Sequence, residues 1–244
     1  SVSTALVRDS GAANLTLEAR DAVRFLEGAD LALDGTLTLA SRSLAVQPNQ
    51  AVKIAAGQVV MRGIRVDSGT QVPVPVAREG TAALDLQSRG GMLISGDWVT
   101  NGIDQLGLRA QGDLMLQGAS STVFSGSLAT AGDLAIEARQ VYPGTQTRFE
   151  IDASGRDVRI SRPDGVGTAE SPLSAGGQLV VDAATITQGG TVRAPQGRIE
   201  LRGTESVTLG AGSQTSVSAA GLVLPYGNSA GGRWLAPDRT VITA

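Results

Sequence analysis

The chain contains no cysteine and no histidine. Without cysteine there is no disulfide framework and no thiolate metal site. Without histidine there is no Ser-His-Asp relay, so Gly227-Asn-Ser229-Ala-Gly231, which fits the G-x-S-x-G nucleophile pattern, reads as chance in a Gly/Ser-rich tail. Lys53 is the single lysine against 19 arginines, and the net charge is −3 with no basic stripe. That charge distribution argues against a nucleic-acid partner. No run of 18 apolar residues is present, so no helical membrane insertion is expected. No P-loop, dinucleotide fingerprint, calcium repeat or EF-hand loop occurs. The expectation is therefore no cofactor, no metal and no enzyme. Aromatic residues make up only 3% of the chain, so any core must be built from Leu, Val, Ile and Ala.

What is abundant is glycine, with 32 residues, and β-branched and small residues around it. A Gly-x-apolar-x-apolar motif recurs. It stands at Gly35-Thr-Leu37-Thr-Leu39, Gly57-Gln-Val59-Val-Met61, Gly112-Asp-Leu114-Met-Leu116 and Gly132-Asp-Leu134-Ala-Ile136. It returns at Gly177-Gln-Leu179-Val-Val181 and Gly197-Arg-Ile199-Glu-Leu201. The spacings within these pairs are 22, 20 and 20 residues, and Gly155-Arg-Asp-Val158-Arg-Ile160 fills the 45-residue gap between Gly132 and Gly177. A second series, Leu84/Leu86, Leu106/Leu108 and Leu128, runs out of phase with the first. Each repeat of about 20–22 residues thus holds at least two short strands with one buried face.

One such repeat cannot bury its apolar face alone, but stacked repeats can. The expected fold is all-β: a right-handed parallel β-helix with loop or hairpin insertions. About ten coils spaced by 4.8 Å would make a rod of order 50 Å. Each motif glycine is expected to turn a corner at positive φ. Leu114 and Leu134 are expected to lie one directly above the other in an aliphatic column, and the functional reading below is tied to that column. The competing fold is an antiparallel β-sandwich, but sandwiches do not repeat one motif at a period near 21 residues.

The β-helix is assigned to residues 1–220. Insertions are expected near 67–81 (Val72-Pro-Val-Pro-Val76), 140–148 (Tyr142-Pro-Gly144) and 161–176 (Pro163-Asp-Gly165 and Pro172), where proline interrupts strand pairing. Residues 221–244 are read as an irregular cap or junction. Because loops on a rigid scaffold carry recognition, Tyr142, Phe149, Asp164 and Trp234 are the candidate binding residues. No leader-like segment stands at Ser1, and the repeat already runs by Leu15, which suggests an internal piece of a longer chain. No amphipathic capping helix is expected near Ser1.

The segments Ser174-Ala-Gly-Gly-Gln-Leu-Val-Val-Asp182 and Ile186-Thr-Gln-Gly-Gly-Thr-Val-Arg-Ala-Pro-Gln-Gly-Arg-Ile-Glu-Leu201 resemble the repeats of the filamentous haemagglutinin family, the large exoproteins of bacterial two-partner secretion. The likeness covers most of the chain and is best over 81–220. It implies a secreted adhesin at the bacterial cell surface, acting in host or biofilm adhesion. An outer-membrane β-barrel transporter would carry the full-length protein, and the adhesive partner would be a host-cell receptor, glycan or matrix polysaccharide. The family's Asn-rich secretion domain is not recognisable in a chain with four asparagines. It supplies no catalytic residues.

The alternative is a β-helical polysaccharide lyase or hydrolase. Glu150, Asp152 and Asp157 cluster in sequence with Arg148, Arg156 and Arg159, and two acids at suitable separation can cleave a glycoside. Alternating charges are equally what the wet face of a sheet looks like.

Overall fold

A computed structural model describes residues 4–64, 75–76, 81–222, 228–230 and 233–235. Helix α1 (Thr4–Asp9) precedes the strands. The first coil contains β1 (Leu15–Glu18), β2 (Ala22–Phe25) and β3 (Ala29–Ala32), and the second β4 (Thr36–Ser41), β5 (Ser43–Val46) and β6 (Ala51–Ala56). The third has β7 (Gln58–Gly63) and β8 (Ala83–Ser88). The fourth has β9 (Met92–Ser95), β10 (Asp97–Asn101) and β11 (Gln105–Ala110). The fifth has β12 (Leu114–Gln117), β13 (Ser125–Ala129) and β14 (Asp133–Glu137). Then come β15 (Val141–Pro143) and the long β16 (Arg148–Ser161), the long β17 (Gln178–Gln188), β18 (Thr191–Arg193) and the long β19 (Arg198–Leu209), and β20 (Gln214–Ser216). Last are β21 (Asn228–Ala230) and β22 (Arg233–Leu235), an antiparallel pair.

These strands form a parallel β-helix with three faces. Face A is the eight-stranded sheet β1-β4-β7-β9-β12-β15-β18-β20. Face B carries β2, β5, β10 and β13, and face C carries β3, β6, β8, β11 and β14. The long strands β16, β17 and β19 turn the corner between B and C and join them into one sheet. All pairings within the stack are parallel. Nearly all parallel crossovers wind right-handed.

The core follows from alternation. On face C, Val52, Leu84, Leu106, Leu134, Val158 and Ile186 are successive register partners, and so are Ile54, Leu86, Leu108, Ile136 and Ile160. All of them are buried. Gln188 continues the second column, fully buried. It is tolerated because Gly190 N donates to its Oε1 and its Nε2 donates to Gln214 O and Thr215 Oγ1, leaving no orphan group. Face B places Trp98, Leu128, Ile151 and Val181 in one column. Burial of such side chains is worth roughly 1.5–3 kcal/mol each relative to exposure.

Several expectations change. Leu114 does not lie beneath Leu134. It is on face A, between Met92 and Val141, whereas Leu134 is on face C of the same coil, between Leu106 and Val158. The recurring motif marks strands of all three faces, because any strand entering a corner has the same local need. Likewise Leu128 belongs to face B and not to the Leu84/Leu106 column. The motif glycines also serve a different purpose. Positive φ is absent at Gly35, Gly57, Gly112, Gly132, Gly177 and Gly197. Instead the neighbouring coil's backbone passes too close for a side chain: a Cβ on Gly57 would lie 2.5 Å from Asp34 O, and one on Gly177 2.8 Å from Gly144 O. Gly155 is the reverse case. Its φ is +74° at the B–C corner of β16 with open space around it, so it is not a copy of the motif.

Residues 140–148 are not an insertion. Val141–Pro143 is a face A strand, and Gly144 N donates to Leu116 O at 2.7 Å. Proline is accommodated at Pro143 as the strand's last residue. Residues 162–177 do interrupt the stack: β15 pairs directly with β18, so this coil has no face A strand. The segment lies against the protein, with Pro163, Ala169 and Pro172 buried. In the same way β5 pairs directly with β10, skipping the third coil on face B. Most of the 67–81 insertion lies outside the described residues. The first skip omits a face A strand and the second a face B strand; among the described residues face A has eight strands, roughly 35 Å at the strand spacing. At the amino-terminal end α1 packs against β3, buries Val7 and donates from Arg8 to Asp30 O, partly covering the first coil. A six-residue helix is too short to show a helical period in the sequence. At the other end Val207 and Leu209 of β19 are 42% and 61% exposed. Beyond 222 the only described elements are β21 and β22.

Candidate functional site

Among the expected binding residues, Phe149, Asp164 and Tyr142 fall on face B, in the 162–177 segment and on face A. Phe149 was expected in a loop but is fully buried on face B, where its ring lies over Gly126. It is the first inward position of β16, paired with Leu179, so it is unavailable to a ligand. Asp164 is exposed in the 162–177 segment. Trp234 falls in β22, opposite Ser229, with its side chain outside the described residues. Tyr142 is half-buried on the outside of face A, where it continues the outward column Val60, Leu93, Met115. Burial raises the Tyr142 hydroxyl pKa above its ordinary value; Asp113 adds to this and Arg139 opposes it. Close by, Arg139 Nε binds Asp113 Oδ1 at 2.7 Å, and Gln140 Nε2 reaches Asp113 Oδ2 and Glu170 O at 2.9 and 3.0 Å. The last bond ties the 162–177 segment to the stack.

The suspected acid cluster is also divided. Glu150 and Asp152 point outward on face B, and Asp157 lies past the Gly155 corner on face C. Asp152 is turned to its own backbone, accepting from Ser154 N at 3.0 Å and from Ser154 Oγ. It shares a shallow depression of about 290 Å3 with Glu150, Asp182 and Arg202. Among the described residues no group of three or more acidic side chains is disposed to hold a metal ion. No helix among them is long and apolar enough to cross a membrane.

A further polar concavity was not anticipated. It is a groove of about 410 Å3 on face C that runs across the strands, along the stack. Its floor is Gly107 and Ala135, successive outward positions where the flanking rungs carry Asp85 and Arg159. One ridge is Gln105, Asp133 and Asp157, and the other includes Arg109. At Gly107 the Asp85 carboxylate leans across the floor into the space a Cβ would take, and as the end of a flexible side chain it could turn aside. Arg109 Nε meets Asp85 Oδ1 at 3.0 Å and its Nη1 meets Glu137 Oε2 at 2.8 Å, so one guanidinium staples three coils. Desolvation opposes its charge, but Asp85 and then Glu137 outweigh that and hold its pKa above the ordinary value. Asp133 accepts from Asp157 N at 3.2 Å, and Asp157 accepts from Thr185 Oγ1. Arg159 forms no ion pair among the described residues. Gly107 and Ala135 interrupt an outward column of polar residues, Lys53, Asp85, Arg159 and Thr187, but that column is legible only once the register is known.

No family model matches the chain, and no curated protein or solved structure matches it.

Proposed function

We propose that this chain is a structural and adhesive segment of a large secreted bacterial surface adhesin of the filamentous haemagglutinin type. A solenoid is a stiff spacer, since every coil contacts only its neighbours and length adds reach without loss of order. The observation that supports this reading is the register of the segments that carry the family resemblance. Leu179 stacks on Ile199 and Val181 on Leu201, while Val192 sits on Val141 across the coil. The Leu114–Leu134 column to which the reading was tied does not form, so the reading now rests on these pairs and on the face C columns. Export through an outer-membrane β-barrel transporter belongs to the proposal, and the absence of cysteine suits a chain that crosses membranes unfolded. The non-catalytic reading is supported by the separation of Asp152 from Asp157 by the Gly155 corner.

The test is surface labelling of intact bacteria that carry the full-length gene with an epitope in the exposed 162–177 segment. Label on intact cells, lost when the partner transporter is deleted, is the expected result. Reduced adhesion to epithelial cells or to biofilm matrix after in-frame removal of these coils is expected as well. Label confined to the cytoplasm would overturn the reading.

A further inference from the structure

We infer that the face C groove is a binding site for a linear, neutral glycan. This deepens the adhesive reading and rests on it. The shape comes first. From Asp85 through Gly107, Ala135 and Arg159 to Thr187 the outward column crosses five rungs, a lane of about 19 Å at the strand spacing. Gly107 and Ala135 carry almost no side chain of their own; the Asp85 carboxylate, held by Arg109, lies over Gly107, so an extended chain would rest on Asp85 at that rung and on the bare floor at Ala135, between the ridges.

The chemistry of the ridges selects the ligand. Asp133 and Asp157 are exposed carboxylates on adjacent rungs, each using one oxygen internally and keeping acceptor capacity. Paired hydroxyls of a sugar match such acceptors. Gln105, Arg159 and Thr187 supply donors along the same lane, while the Thr185 hydroxyl proton is already given to Asp157. Charge argues against a polyanion: Asp85, Asp133 and Asp157 outnumber Arg109 and Arg159 in the lining, and Arg109 is already neutralised by Asp85 and Glu137. An apolar peptide is disfavoured because the only large apolar side chains in the lining, Leu84, Leu106, Leu134 and Val158, point into the core.

The experiment is calorimetric titration of the intact segment with three hexasaccharides: a β-1,4-glucan, a β-1,4-linked N-acetylglucosamine chain and an α-1,4-galacturonan. Binding of at least one neutral chain, with the acidic chain at least tenfold weaker, is expected. Ala135→Phe fills the floor from outside the core and should abolish binding. Asp133→Asn, which keeps the side chain's size, should weaken it about tenfold. Ala32→Phe, on the same face in the first coil and outside the groove, should bind as the parent does. Circular dichroism guards against misfolding of any variant. Silence of all neutral chains, preference for the galacturonan, or unchanged binding by Ala135→Phe would each overturn the groove assignment. Surface labelling and adhesion of intact cells are read independently, so the adhesin reading can survive that failure or fall without it.

Discussion

The ring of Phe149 occupies the space that a side chain on Gly126 would need: a Cβ there would lie 2.8 Å from Phe149 Cε2 and 2.6 Å from Gln117 O. The two residues are register partners on adjacent coils of face B. A glycine on one rung therefore admits an aromatic side chain from the next, in a core that is aliphatic apart from Phe149 and Trp98 among its fully buried side chains.

Gly126→Ala should consequently destabilise the stack by about 1–3 kcal/mol through overpacking. Phe149→Leu in that background should recover part of the loss. Urea denaturation of both variants checks this, and additive losses would mean that the ring does not set the constraint.

The two kinds of glycine should respond differently. Gly57→Ala and Gly177→Ala push a methyl into backbone that cannot move without parting two coils, so both should lower the melting temperature sharply. Gly155→Ala meets no atoms and suffers only the left-handed backbone, which costs about 1–2 kcal/mol. Gly155→Asn should be milder still, since asparagine tolerates that region.

Columns predict coupling. Leu106→Ala and Leu134→Ala should each cost about 2–5 kcal/mol. As register partners they should show a coupling of at least about 0.5 kcal/mol in a double-mutant cycle. Leu114 and Leu134 stand on different faces of one coil, and their cycle should come closer to additivity. Stronger coupling in the second pair would contradict the three-faced arrangement.

Tyr142 gives a pH dependence. Its folded-state pKa is raised above 10.0, first by burial and then by Asp113, so the folded protein holds this proton more tightly than the unfolded chain does. Stability should be complete below pH 10 and fall as pH rises through the folded-state value. Tyr142→Phe should remove this contribution to the alkaline decline, seen in denaturation midpoints measured on either side of that pH.

In the staple of Arg109, replacement by methionine leaves Asp85 and Glu137 facing one another across the rungs without a cation. The pair is partly exposed, so a loss of no more than about 1–2 kcal/mol is expected. It should shrink at high salt if repulsion is its cause.

The sequence by itself determined the class of fold. Alternation at Leu84/Leu86 and Leu106/Leu108, renewed after 22 residues, allows only strands that bury one side, and the repeat forces them to stack. It also showed where chain is diverted, since Pro163 and Pro172 cannot serve a ladder. What it did not contain was phase. Gly-Asp-Leu reads the same at Leu114 and at Leu134, because a corner glycine followed by an alternating strand is the local requirement of every face, and which face it serves depends on the lengths of all preceding corners. The same ambiguity hid the buried position of Phe149 and the two-residue difference between the corners of β16 and β17. Only the wound structure decided that Gly107 and Ala135 adjoin on one face and hollow it, because a groove across strands is made by residues 28 positions apart that no local pattern links.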